Sequence, residues 1–199
     1  MWRVSVLALC LLAAPLPRLV GQWSVAVEAG MAGFAGGSTD TAAATDPGSF
    51  RPYYPATVLV RLDRRWSRIG VGIGLLYCSA GVAEESSEFA VVAKDLLELY
   101  EIAPEASVLV AKPGPGGALR VHVGPVLDLW FPKGDSRRTR PGGHATISLE
   151  WALGGRLTGA LRAGLALTGS AFDEGELPSR FERRAMWRRS LSGGVRVRL

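Results

Sequence analysis

The feature that most constrains this chain is a two-residue alternation that recurs along most of its length. Trp23, Val25, Val27, Ala29 and Met31 interleave with Ser24, Ala26, Glu28 and Gly30. Ala56, Val58, Val60 and Leu62 interleave with Thr57, Leu59 and Arg61. Ile69, Val71, Ile73, Leu75 and Tyr77 alternate with Gly70, Gly72, Gly74 and Leu76. The same step runs through Leu119–Leu129, Ala145–Leu153, Leu161–Leu167 and Leu191–Leu199. A period of two places each set on one face of an extended strand, whereas a helix would need 3.6. Glycine points the same way. The chain has 25 glycines, many inside these apolar stretches, where a helix would lose about 1 kcal/mol for each relative to alanine.

These segments predict an all-β protein, with an eighth strand between residues 89 and 112. That eighth segment is the least regular. Phe89, Val92, Ala93, Leu96, Leu97 and Tyr100 also fit a helical stripe, and Ile102, Pro104, Ala106, Val108 and Val110 then alternate. It reads either as one long strand with a bulge near Tyr100–Pro104 or as a short helix followed by a strand. Proline inside it fits an edge or a bulge.

The connections alternate in length. Asp63–Arg68, Pro113–Gly117 and Gly154–Arg156 are short, whereas Gly36–Phe50, Ala83–Glu88, Lys133–Gly143 and Asp173–Arg184 are mostly longer and polar. Trp23, Trp66, Trp130, Trp151 and Trp187 fall near strand ends, with Tyr53, Tyr54, Tyr77 and Phe172 toward the long-loop end. Aromatic girdles and alternating turn lengths belong to barrels that cross a membrane.

One strand face is aliphatic. The other carries Glu28, Arg61, Glu105, Arg120, His122, Asp128, Glu150, Arg162 and Arg196, together with Glu101 and Arg188. A charge facing the hydrocarbon costs about 2–4 kcal/mol for a midplane arginine, so these side chains are expected to point inward. They would fill the lumen of an eight-stranded antiparallel up-and-down transmembrane β-barrel. No apolar run after the N-terminus approaches the roughly 18 residues of a spanning helix.

Residues 1–21 read as an export signal, with Arg3 as the basic start and Val4–Leu16 as the apolar segment. Residues 22–199 then form one barrel domain. Cleavage lowers the formal charge of +5 to +3, because Arg3 and Arg18 leave with no acid, and Cys78 becomes the single cysteine. An intramolecular disulfide is thereby excluded.

Three stretches resemble the small bacterial outer-membrane β-barrels, the OmpA/OmpX-like and porin-family barrel domains. Residues Leu97–Pro104 (LELYEIAP) look like the Leu-Glu-Ile-Pro strand of that superfamily, with an added residue. Residues Val121–Trp130 (VHVGPVLDLW) resemble its Gly-Pro strand. The last eight residues, SGGVRVRL, resemble the C-terminal assembly signal, with Ser192, Gly194, Val197 and Leu199 at its marked positions. Leu199 stands where Phe or Trp is usual. The resemblance implies outer-membrane location, periplasmic termini, contact with membrane lipid and lipopolysaccharide, handling by the barrel-assembly machinery, and a monomer. It says little about activity.

The residues themselves offer little chemistry. A Ser-His-acid site needs mutual hydrogen-bond reach. His122 and Asp128 lie six residues apart on one strand, and no local motif accompanies His144, Ser148 and Glu150. Two histidines and no cysteine pair make a poor metal set, so no cofactor is expected. Scattered arginines without interleaved aromatics argue against nucleic acid. Arg137, Arg138 and Arg140 cluster in one long loop; they suit lipopolysaccharide phosphates, or form an ordinary solvated loop. Arg183, Arg184, Arg188 and Arg189 offer a similar cluster. The expected role is a structural or narrow-pore outer-membrane barrel without catalysis. The alternatives are a soluble lipocalin-like barrel with an apolar ligand and a lipid-modifying barrel enzyme.

Overall fold

A computed structural model describes residues 21–41, 49–85, 90–134, 136–173, 175 and 177–199. Residues 1–20 of the expected export signal, and Phe89, lie outside the described residues. Eight strands follow one another: β1 (Gln22–Asp40), β2 (Ser49–Trp66), β3 (Ile69–Glu85), β4 (Ala90–Ala111), β5 (Gly117–Pro132), β6 (Arg138–Gly154), β7 (Leu157–Thr168) and β8 (Phe181–Arg198). Each pairs antiparallel with its neighbour in sequence, and β8 pairs with β1, closing the barrel. The ring has no free edge, so every strand is paired on both sides.

The doubtful eighth segment is a strand. It carries no bulge between Tyr100 and Pro104, because Ile102↔Leu127 and Ala106↔Val123 keep one register. The irregularities lie on either side. Ala80 pairs with Leu97 and Val82 with Ala93, and a second shift falls between Leu109 and Ala111. Pro104 occupies neither an edge nor a bulge. Its carbonyl oxygen points at Gly124 of β5, where a Cβ would lie only 2.0 Å away. The missing side chain lets β4 and β5 approach at the proline.

The strands reach beyond the alternating segments, and the connections sort to two ends. Two-residue links join β2 to β3 and β6 to β7, and residues 112–116 join β4 to β5. Gln22 and Arg198, the outer ends of the first and last strands, lie at this short-turn end. The opposite end carries the longer β1–β2 and β7–β8 loops.

The outer wall is apolar. Val27, Val60, Ile73, Leu75, Val123, Ile147, Leu161 and Val195 are all more than two-fifths exposed. Trp23 and Trp151 project at the short-turn end and Trp187 toward the other, and all three are exposed. Tyr77, Tyr100 and Phe131 form a ladder on adjacent strands, with ring centroids 5.1 and 5.4 Å apart. From Ile69 to Tyr77 is eight residue steps along β3. At about 3.3 Å each and a tilt near 40°, that rises roughly 20 Å, close to the ~25 Å apolar band of an outer-membrane barrel.

Two of the expected girdle residues do not belong to it. Trp130 is fully buried inside the barrel, and Phe172 is 93% buried against Phe50 (ring centroids 6.4 Å apart). Trp130 has the inward parity of Asp128 on β5. Strand position alone placed it at a rim, but the face of the strand decides.

Candidate functional site

The lumen is where the chain concentrates its chemistry. All nine of the inward residues expected from the alternation, Glu28, Arg61, Glu105, Arg120, His122, Asp128, Glu150, Arg162 and Arg196, are at least nine-tenths buried. They come from seven of the eight strands, all but β3, and assemble in layers.

The middle layer centres on Glu105 of β4. Its Oε1 lies 3.3 Å from Arg61 Nη1 and 3.0 Å from His122 Nδ1. Its Oε2 lies 3.0 Å from Arg162 Nη2 and 3.6 Å from His144 Nε2. Glu28 of β1 shares the arginines: Oε1 accepts from Arg61 Nη2 at 2.9 Å, and Oε2 is 3.8 Å from Arg162 Nε. Ser192 Oγ donates to that same Oε2 at 2.9 Å. Two arginines thus face two carboxylates, which is how buried charge is made tolerable. β3 contributes no charge here. Its inward positions Gly70, Gly72 and Gly74 leave the room that the neighbouring side chains fill, as Asp63 Cβ does 2.9 Å from where a Cβ of Gly72 would stand.

His122 links layers. Its Nε2 lies 2.9 Å from Ser148 Oγ, and Ser148 Oγ donates to Glu150 Oε1 at 3.2 Å. Ser148, His122 and Glu105 therefore have the connectivity of a nucleophile, base and acid, which strand spacing alone did not reveal. The signal lay in cross-strand register, which pairs His122 with Thr146 and Ser107 and sets Ser148 opposite Arg120. Ser148 and His122 are 0% and 1% exposed, and Ser148 is shared with Glu150. The constellation is enclosed within the hydrogen-bonded filling of the lumen.

Toward the short-turn end lies a second layer. Glu150 takes Arg65 in a two-pronged contact at 2.7 and 3.0 Å and Arg196 at 2.7 Å. Asp63 sits 2.5 Å from Arg65 and 3.5 Å from Arg196. Asp63 and Arg65 were read as turn residues. They continue the two-residue step from Arg61, and following that step three residues past the apolar stretch would have found them. Toward the long-loop end, Arg188 bonds Glu101 and lies 3.7 Å from Asp128.

Above Arg188 the lumen changes character. Phe34, Leu99, Trp130, Phe172 and Met186 pack with Cys78 and Ala171 in a buried apolar cluster. Phe34 meets Trp130 edge-on at 5.7 Å, the preferred aromatic geometry. The expectation of a wholly polar filling therefore holds only for the part below this cap. The β7–β8 loop folds over the mouth. Ser170 Oγ donates to the Gly37 carbonyl at 2.7 Å.

The loop arginines divide. Arg138 is 96% buried and donates to the Ala171 carbonyl at 2.6 Å; Arg140 donates to the Ser170 carbonyl and pairs with Asp173. Both tie down the β7–β8 loop, so the three-arginine surface cluster expected from sequence is not formed; Arg137 alone of the three is exposed. Of the second cluster, Arg188 points inward and Arg189 outward, as alternation requires. In the assembly-signal segment, Ser192 and Gly194 face the lumen, Val197 the outside, and Leu199 N donates to the Trp23 carbonyl at 3.0 Å.

Comparison with known proteins agrees on the fold. No family model and no curated protein sequence matches the chain. Solved structures do. The chain is similar to Neisserial surface protein A (NspA), with a TM-score of 0.55 at 14% identity over 89% of this chain and 97% of that one. It is also similar to the outer membrane protein OprG from Pseudomonas aeruginosa, with a TM-score of 0.53 at 8% identity over 90% and 96%. At these identities the likeness is one of fold.

Proposed function

We propose, on the premise of this small outer-membrane barrel fold, that the chain is a closed barrel of the bacterial outer membrane with a structural role. The observation that carries the reading is the pairing of an aliphatic outer wall with a lumen blocked twice. The Arg61–Glu105 layer blocks it by ion pairs and the Trp130 cluster by apolar packing. Between them remains a cavity of only about 60 Å³. The short turns and both termini then face the periplasm, as in bacterial barrels generally. The chain would act without catalysis, as a monomer, after insertion by the barrel-assembly machinery through residues Ser192–Leu199.

Contact with lipopolysaccharide would fall to Arg137, the one exposed member of the loop cluster, and to Arg189, which lies on the outer wall two residues from Trp187. A guanidinium at girdle height meets headgroup phosphates.

Fractionation and planar-bilayer recording test the proposal. The protein should partition with outer membranes, migrate in a heat-modifiable manner on gels, and give no steady conductance. Recovery of folded protein from the soluble periplasm would defeat the membrane reading. Regular step openings would favour the narrow-pore role instead. Lipid A that changes mass when the protein is expressed would restore the enzyme.

A further inference from the structure

We propose that the vestibule at the short-turn end of the barrel binds a small soluble oxyanion of the phosphate type. This cavity of about 280 Å³ opens at the mouth and is lined by Arg65, Arg120, Arg196 and Arg198, with Glu150 as the one acidic residue on its wall. Asp63 stands behind it, paired with Arg65 and Arg196. Four guanidinium groups therefore meet two carboxylates. The middle layer differs: there Arg61 and Arg162 meet Glu28 and Glu105 one for one.

The surplus shows in the hydrogen bonding as well as the charge. Both Nη groups of Arg65 donate to Glu150, and its Nε lies 2.5 Å from Asp63 Oδ1. Arg120 and Arg196 are held less closely. Arg120 Nε is buried 3.9 Å from the nearest carboxylate oxygen, and Arg196 Nη2 is buried with no acceptor. Arg120 is 94% and Arg196 98% buried, so neither side chain is simply a solvated surface arginine. Buried donors left without acceptors are costly, and a guanidinium fork fits two oxygens of one anion. Ser24 and Thr158 add hydroxyls to the same wall. An anion with several oxygens can offer a separate acceptor atom to each guanidinium, which a single halide ion cannot. The strand wall closes the vestibule laterally, so its occupant enters from the aqueous side and is not a headgroup held in the bilayer.

The test is a titration of the refolded full barrel with inorganic phosphate. It is run in a maltoside detergent, which carries no phosphate, at ionic strength held constant with chloride. Calorimetry should give a saturable isotherm, and the Nε–H resonances of Arg120 and Arg196 should move with it. Arg120→Gln should weaken binding about tenfold, the loss of one charge-assisted hydrogen bond. Arg198→Gln at the rim should weaken it about threefold, as for an exposed charge. Ala118→Glu, which places a carboxylate on the vestibule wall, should abolish it. Heat-modifiable migration verifies that each variant is a folded barrel, and Arg198→Gln and Ala118→Glu keep the test available if Arg120→Gln does not fold. Signals that follow ionic strength alone would overturn the proposal. So would phosphate binding that persists unchanged in folded Ala118→Glu.

Discussion

The lower and upper parts of the lumen are filled by opposite means. Below, arginines and carboxylates from different strands satisfy one another, as Arg61 does with Glu28, Glu105 and Asp63. Above, Phe34, Leu99, Trp130 and Met186 exclude water by packing. The charged part is specific and brittle, because each group is tolerable only while its partner is present. The apolar part depends on volume and shape, and it accepts substitutes that conserve them. The barrel is therefore not uniform along its axis, although its outer wall is aliphatic across the band between the girdles.

The sharpest way to break this contrast is to remove one partner below. Arg61→Ala leaves Glu28 and Glu105 with Arg162 and the histidines, and it should destabilise the barrel by about 3–5 kcal/mol, read from urea unfolding in detergent. Arg61→Lys should recover only part of that loss, because an ammonium cannot reproduce the fork that spans two carboxylates. Trp130→Ala comes next, at roughly 3 kcal/mol for a large aromatic removed from a buried cluster. Its conservative counterpart behaves differently. Leu99→Met, which keeps volume, should cost less than about 1.5 kcal/mol. If Leu99→Met proves as damaging as Arg61→Lys, the two regions do not differ in the way their contacts imply. Bilayer recordings add a second reading: Trp130→Ala should still not conduct, because the Arg61 layer remains beneath it.

The two regions were also unequally legible in the sequence. The lower one could be read because a charge on a strand face has only one tolerable direction when the other face is aliphatic, and Glu28, Arg120 and Arg162 lie where that rule sends them. Partners could not be read. Which carboxylate meets Arg61 depends on the register between β1, β2 and β4 and on the curvature that brings non-neighbouring strands face to face. The upper region misled because aromatics near a strand end look alike whether they face lipid or lumen. Trp187 and Trp130 differ only in parity. Arg138 and Arg140 misled for a related reason: β6 begins at Arg138, earlier than its alternation. Polar residues in that extension look like loop.

Gly194 offers the finest test, because two explanations of one residue compete there. As part of the C-terminal segment it belongs to the expected assembly signal. In the barrel, a Cβ at Gly194 would stand 2.1 Å from the Val27 carbonyl oxygen and 2.6 Å from Glu28 Cα, so β1 and β8 approach only because the side chain is missing. Its neighbour Gly193 faces outward, with nothing closer than 3.8 Å. Gly194→Ala should cost about 1–3 kcal/mol by overpacking, and Gly193→Ala should stay within about 0.5 kcal/mol. The backbone account requires Gly194→Ala to lower stability in detergent refolding, where no assembly machinery acts. A Gly194→Ala barrel that refolds with full stability in vitro yet accumulates poorly in the membrane would assign the glycine to recognition. Glu28 would then lose nothing from a methyl group beside it, and the charged layer would tolerate more displacement than its distances imply.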